Sequence, residues 1–313
     1  MQTNGRGIKQ GDRLLKMQGK RDRGPVEFKS HLVPQEGEIM AIATHDVISV
    51  PPTQTIVAAA GQMTSCGFRR LPVTDAGTRR LRGIVTSGDV INFMGGGDKH
   101  QLVKVRHNGN LIAAVNESVR TIMTQQPQTL PGDARISDAV EMILTKKIGG
   151  LPIIDKDEVL TGIVTERDVL SVLAAQHSRL NVEDVMTAAL RVTAPDCPIA
   201  AVSHDMTKYR FRRLPVVSDD ILYGIVTATD IMRYLGSGEV FSRLETGNVA
   251  EVMALPVRTL IAGELRTTTP EKKINEAAQE MLRRNIGALP VIEDQKLIGL
   301  VTEFDLVRAF AAG

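Results

Sequence analysis

The phrase GIVTERDVL, from Gly162 to Leu170, occurs three more times with small changes: GIVTSGDVI from Gly83, GIVTATDIM from Gly224 and GLVTEFDLV from Gly299. Each copy keeps a Gly, a Thr three residues on and an Asp three beyond that. A spacing held four times in 313 residues restricts the chain to tandem copies of one small unit. Other features fall into register with it. A leucine–proline step opens a short apolar run before each Gly, in FRRLPVTD at Pro72, IGGLPIID at Pro152, FRRLPVVS at Pro215 and IGALPVIE at Pro290. Helical spacing precedes these runs, as in Ile136, Ala139, Val140, Ile143 and Leu144, or Ile274, Ala277, Ala278, Met281 and Leu282. Gly149 and Gly287 follow where such helices would stop. A second apolar helical face follows each Asp, for example VLSVL after Asp168.

The unit therefore reads strand, helix, strand, strand, helix. The expected fold class is α/β (α+β): four β-α-β-β-α repeats at 39–97, 119–176, 182–237 and 249–313, behind a basic tail at 1–38. One such unit is too small to bury a stable core by itself, so neighbours must cover one another. Three repeats open alike, with VRTIMT, VEDVMT and VAEVMA. Long connections follow the first and third repeats and a short one the second, which predicts that repeats 1 and 2 pair, as do 3 and 4. The two pairs are then expected to pack together, because second-helix residues such as Val169, Leu170 and Leu173 would otherwise stay exposed.

Composition bears mainly on what to exclude. There is no Trp and aromatics are 3%, so the core must be built from aliphatic side chains and Met. Cys66 and Cys197 lie far apart and outside any CxxC, which argues against a disulfide framework or thiolate zinc site and suits a reducing cytosol. Cys66 is expected to pack within a helix. No apolar stretch has the length of a membrane span, and the N-terminus lacks the apolar core of a signal peptide, so a cytoplasmic protein with no membrane partner is expected. The six histidines have no metal-ligand spacing, there is no GxSxG, and GGGDKH at Gly95 lacks the GK[ST] of a phosphate loop. With so few residues outside the repeats, the chain reads as a non-enzyme. Residues 1–30 carry eight Lys/Arg against three acids. That is read as a solvated tail, with nucleic-acid binding as the alternative.

Two readings fit Thr-x-x-Asp. It is close to a helix capping box, although that motif prefers Glu or Gln at its last position. The residues between Thr and Asp read as unconstrained, and an anion-accepting helix start is compatible with a ligand role.

Taken together, the strand–LP–strand–GhhTxxD–helix unit resembles the cystathionine β-synthase (CBS) domain, in all four copies. The resemblance implies two Bateman modules packed as a disc, as in the γ subunit of AMP-activated protein kinase, with clefts that take AMP, ADP, ATP or S-adenosylmethionine. It implies ribose contacts from Asp89, Asp168, Asp230 and Asp305, with Thr86, Thr165, Thr227 and Thr302 on the ribose–phosphate side. Adenine contacts would come from Val50, Thr129, Thr193 and Thr268 in the segments leading into the repeats, with Val73, Ile153, Val216 and Val291 as an apolar wall or simply as core. Arg69, Arg70, Arg212 and Arg213, directly before the LP step of the odd repeats, and Arg167 inside the second TxxD, fall at phosphate-contacting positions. Arginine suits that task because its planar fork donates to two oxygens at once. The even repeats carry small residues there (Gly149, Gly150, Gly287, Ala288), leaving room for ligand or for arginines from across the disc. A regulatory ligand but no resident cofactor, an unidentified target protein and an open question of homodimerisation complete the expectation. An adaptor with empty clefts is the rival.

Overall fold

The computed structural model describes residues 38–312 apart from 220 and 262. The basic tail up to residue 37 lies outside the described residues, and Glu38 already belongs to the first helix.

Repeat 1 contains α1 (Glu38–Ile42), α2 (Ile56–Cys66), β1 (Arg70–Thr74), β2 (Leu81–Thr86) and α3 (Ser87–Ile91). The connection to repeat 2 contains α4 (Leu111–Val115). Repeat 2 follows with β3 (Leu130–Pro131), α5 (Ile136–Lys146), β4 (Gly150–Ile154), β5 (Leu160–Thr165) and α6 (Glu166–Leu173). Repeat 3 has α7 (Ile199–Tyr209), β6 (Arg213–Ser218), β7 (Ile221–Thr227) and α8 (Ala228–Gly236). After α9 (Val249–Met253), repeat 4 has α10 (Ile274–Arg284), β8 (Ala288–Glu293), β9 (Lys296–Thr302) and α11 (Glu303–Ala312).

Each LP run pairs antiparallel with its GIV run, in the same register: Pro72 faces Ile84, Pro152 Ile163, Pro215 Ile225 and Pro290 Leu300. The leading segment adds a parallel rung on the other side, at Val50–Val73, Thr193–Val216 and Thr268–Val291. A proline is tolerated inside these strands because that rung takes only its carbonyl. Val50 N donates to Pro72 O at 3.0 Å, and the next donor used is Thr74 N, to Val50 O. In repeat 2 the residue in this register is Leu130, opposite Ile153, and not Thr129.

The leading segments cross over between repeats. Thr44 pairs with Ile163 of repeat 2, Thr124 with Ile84 of repeat 1 and Thr187 with Leu300 of repeat 4. The conserved-spacing glycine of each GIV run lies under the incoming segment: a Cβ on Gly83 would sit 2.6 Å from Thr124 O and 2.8 Å from Met123 Sδ. In repeat 4 that position is held by Ile261, over Gly224. Its counterpart of VRTIMT is thus the stretch Val257–Ile261 and not VAEVMA, which forms the additional helix α9. Repeats 1 and 2, and repeats 3 and 4, are therefore interlocked pairs.

Helices join the pairs to each other. α2 packs on α8, and α7 on the π-helical stretch Asn92–Gly96, which ties repeat 1 to repeat 3. α6 packs on α10 and α11, which ties repeat 2 to repeat 4. One apolar cluster spans repeats 1 and 3 and includes Ile56, Met63, Phe93, Met206 and Leu235. The other spans repeats 2 and 4 and includes Ile143, Leu170, Leu173, Met281 and Phe310. Full burial of each such side chain contributes about 1.5–3 kcal/mol. GGGDKH is part of the first seam. A Cβ on Gly96 would lie 2.5 Å from Ser203 O, so only glycine lets this stretch meet α7. Cys66 ends α2 and is exposed, contrary to its expected packing.

Candidate functional site

In all four repeats Thr is the residue capping the second helix, and the Asp closes a capping box. Thr86 N donates to Asp89 Oδ2 at 2.8 Å, and the Thr86 hydroxyl donates to the same oxygen at 2.7 Å. The corresponding pairs are Thr165–Asp168, Thr227–Asp230 and Thr302–Asp305, with hydroxyl contacts of 2.6–2.7 Å. Asp reaches back as well as Glu would, because the Thr hydroxyl meets it. Oδ2 is thus committed to the helix start, and Oδ1 is the oxygen that differs between repeats. It meets Lys99 in repeat 1, Arg233 at 3.0 Å in repeat 3 and Arg308 at 3.2 Å in repeat 4. Asp305 is pushed up from the ordinary Asp value by burial, against the pull of Thr302 and Arg308.

The arginines before the LP steps converge where the four repeats meet. A Cβ on Gly149 would lie 2.5 Å from Arg70 Nη2 and 2.6 Å from Arg212 Nη1. On Gly287 it would lie 3.1 Å from Arg69 Nη1 and 3.2 Å from Arg213 Nη2. The small residues of the even repeats therefore make room for guanidiniums from the odd ones. Two acids that the sequence reading passed over hold this cluster. Arg212 Nη1 donates to both Glu166 oxygens, at 3.0 and 3.2 Å. Glu303 takes Arg69 Nη2 at 3.0 Å and Arg167 Nε at 2.7 Å, and Arg167 also donates to Ile286 O. Arg213 donates to Gly287 O. Glu166 and Glu303 follow the Thr of TxxD in the even repeats, where the odd repeats have Ser87 and Ala228. These intervening positions are thus not free. They alternate between acid and small residue as the LP positions alternate between small residue and arginine, and that reciprocal pattern was the available signal.

Electrostatics follow from this crowding. Arg70 and Arg213 are lowered to about 10, first by burial and then by neighbouring charges that include Arg69 and Arg212. Both stay cationic at neutral pH. Burial pushes Glu303 upward, but Arg69 and Arg167 outweigh it and hold the carboxylate below its ordinary value. Five arginines face two glutamates, so the centre carries excess positive charge.

A cavity of about 360 Å³ opens onto this centre. Its wall includes Thr227, Ala228 and Asp230 at one side, Arg69, Arg167, Arg212 and Arg213 at another, and Ile261, Leu265 and Arg266 from the segment leading into repeat 4. The structure thus brings Thr227 and Asp230 together with four of the five candidate arginines. Arg70 does not line it, nor do Thr86, Asp89, Thr165, Asp168, Thr302 and Asp305. The expected adenine contacts Val50, Thr129, Thr193 and Thr268 also lie outside this wall. Val73, Ile153, Val216 and Val291 are fully buried strand residues in the two apolar clusters. Among the described residues no group of His, Cys, Asp and Glu could hold a metal ion, and no helix is long and apolar enough to cross a membrane.

The interlocked pairs around a polar centre define a protein of four tandem repeats, and comparison with known families assigns it. The CBS domain family matches residues 38–96, 119–175, 182–237 and 249–312, and the chain belongs to that family. Uncharacterized protein MJ1225 of Methanocaldococcus jannaschii is 38% identical over 276 residues, covering 87% of this chain and 99% of that protein. Its crystal structure, described as that of a candidate archaeal homologue of the AMP-activated kinase γ subunit, superimposes with a TM-score of 0.83 at 37% identity, over 87% and 99% of the two chains. A 33.4 kDa protein of the ribosomal RNA operon of Thermofilum pendens is 28% identical over 258 residues, 82% of this chain and 86% of that one.

Proposed function

We propose that the chain is a cytoplasmic regulatory protein that binds an adenine nucleotide, AMP, ADP or ATP, in its clefts and signals occupancy to a partner protein. The observation that carries this reading is the cavity that joins Asp230 to Arg69, Arg167, Arg212 and Arg213. Its volume is in the range of small-ligand sites. A carboxylate oxygen at one side suits ribose hydroxyl donors, and the guanidiniums suit phosphate oxygens. The α8 N-terminus at Ala228, also in the wall, adds a favourable end for negative charge. The relation to the M. jannaschii protein described as a γ-subunit homologue agrees with this. Arginines at the junction of all four repeats also make a ligand there sensitive to how the two pairs sit, and signalling requires such a difference in affinity between arrangements.

Calorimetry with adenosine, AMP and ATP tests the assignment. Asp230→Ala removes hydrogen bonds to a charged group, about 1.5–3 kcal/mol, so Kd should rise roughly ten- to a hundredfold for all three ligands. Arg212→Ala should weaken AMP and ATP and leave adenosine nearly unchanged. Equal losses for all three in Arg212→Ala would make Arg212 a support of the fold and remove the phosphate assignment. A wild-type chain whose melting temperature ignores every adenine nucleotide would favour the adaptor.

A further inference from the structure

The Asp of repeat 1 is met by a lysine from the connection that follows its helix, where repeats 3 and 4 use an arginine one turn along the same helix. The Lys99 ammonium donates to Asp89 Oδ1 and to the carbonyl of Ile122, in the segment leading into repeat 2. These are a carboxylate of the ribose-type position and a backbone carbonyl from the leading segment that crosses over it. The lysine is held there from its own backbone. Lys99 N donates to Asn92 Oδ1 at 2.8 Å, and Asn92 Nδ2 donates to Asp98 Oδ1 at 2.8 Å. The clamp therefore fixes both residues 98 and 99. Asn92 stands three residues after Asp89, where repeats 3 and 4 have Arg233 and Arg308. The segment is anchored further by Gly96 against Ser203 of α7. In repeat 3 the residue ten after the Asp is Val240, fully buried in the apolar cluster, so the connection delivers no cation to Asp230, whose Oδ1 is met by Arg233 of its own helix instead.

The cavities differ accordingly. The wall of the repeat 3 cavity runs from Tyr223 and Ile261 to Asp230 and the arginine centre. The matching positions in repeat 1, Arg82 and Met123, line a separate open cavity with Pro52, Arg120, Gln125 and Gln126, whose wall includes neither Asp89 nor any central arginine.

We infer that Lys99 is a built-in occupant of the repeat 1 cleft: its ammonium takes the carboxylate that a ribose would need, so nucleosides and nucleotides are excluded from this cleft. Asp230 Oδ1 also meets a cation, Arg233, but that side chain is 52% exposed, whereas Lys99 is 24% exposed and is held by its backbone clamp and by Ile122 O, so it is the lysine that stays in place against a ligand. The consequence for the number of bound nucleotides rests on the proposed function; the seating of Lys99 does not.

Two measurements on the full-length chain separate them. In the first, lysine acetylation by an N-hydroxysuccinimide ester is followed by peptide mass spectrometry. Lys99 should react about tenfold more slowly than exposed Lys156, because the amine must first leave a charge-assisted pair, and Asp89→Asn should bring the two rates together. Equal rates in the wild type would overturn the inference whether or not a nucleotide binds. In the second, equilibrium dialysis with radiolabelled AMP compares wild type with Lys99→Met. One additional AMP per chain is expected in the variant. Unchanged stoichiometry in a wild type that does bind AMP would overturn the exclusion. No AMP binding by either chain, with Lys99 still protected, would retire the nucleotide reading and leave the seated lysine standing.

Discussion

Glu166 and Glu303 occupy matching places in repeats 2 and 4, each one residue after the capping Thr, and both are almost fully buried. Their company differs. Glu166 is paired with Arg212, whose side chain is 40% exposed, whereas Glu303 holds Arg69 and Arg167, at 27% and 21%. The difference arises at one position: Arg167 in repeat 2 corresponds to Phe304 in repeat 4. A quasi-symmetric scaffold has thus been made electrostatically lopsided without moving a strand. The side enriched by Arg167 is also the side on which the cavity reaches Asp230. Repeats fix where charges can stand, and single substitutions decide which of the equivalent places becomes a site.

The largest expected effect comes from breaking the better-held acid. Glu303→Ala leaves two arginines without their buried partner and should cost about 3–5 kcal/mol. Glu166→Ala frees only one guanidinium, already nearer solvent, and should cost about 1–3 kcal/mol. Urea unfolding of the two variants measures the gap. In an Arg167→Met background the gap should shrink, with a coupling of about 0.5–3 kcal/mol between positions 167 and 303. Equal costs in both backgrounds would mean that Arg167 adds nothing to the hold on Glu303.

Next is the seam between repeats 1 and 3, compared with an open position. Gly96→Val forces a side chain against Ser203 and Thr207 of α7 and should cost about 1–3 kcal/mol. A Cβ on Gly132 meets nothing within 4 Å, so Gly132→Val is the open comparison. It should stay within about 0.5 kcal/mol. If both variants unfold alike, the close approach at Gly96 is not a constraint.

Much of this architecture was legible because its signals are local. The Gly-x-x-Thr-x-x-Asp spacing marks a strand end and a helix start in each copy, and the long and short connections anticipated the pairing of repeats. What stayed hidden depends on residues that meet across repeats. Glu166 and Glu303 looked like loose fill between Thr and Asp, since their arginines come from a repeat distant in the chain. The leading segment of repeat 4 was misaligned because Ile261 stands where Met123 and Met186 stand elsewhere, while VAEVMA has the look of the motif but folds as a helix. Thr129 falls one residue short of the register position that Leu130 takes opposite Ile153, and a strand of two residues leaves little alternation from which to read that register. Lys99 lay in a glycine-rich connection, where spacing carries no information about which cleft a side chain will enter.

Acid should separate Glu303 from Asp305, two residues apart on one helix. Arg69 and Arg167 hold Glu303 below its ordinary value of 4.5, so its stabilisation is present above that pH and is lost as pH falls through the lower folded value. Burial raises Asp305, so the folded chain takes up that proton more readily than the unfolded one, which favours folding as pH falls. Urea midpoints followed from about pH 6 to pH 3.5 should therefore fall less steeply in Glu303→Gln than in wild type, and more steeply in Asp305→Asn. Parallel slopes would mean that the two carboxyls titrate alike.

The smallest effect concerns the cations facing the Asp of repeats 1 and 3. Lys99 is 24% exposed and has two acceptors besides its clamped backbone, whereas Arg233 is 52% exposed and, among the described residues, meets only Asp230 Oδ1, at 3.0 Å. An exposed pair one helical turn apart contributes about 0.3–0.5 kcal/mol. Arg233 can thus swing aside for a ligand at almost no cost, and Arg233→Ala should change stability by no more than that. It should shift the Kd for AMP by less than about threefold, since so weak a competitor is displaced at low occupancy. Calorimetry of Arg233→Ala beside Lys99→Met reads both cases on one scale. A tenfold gain in affinity on losing Arg233 would make it a competitor of the same kind as Lys99, and repeats 1 and 3 would then differ in degree: one cleft held shut by its backbone clamp, the other by an arginine that a ligand has to dislodge.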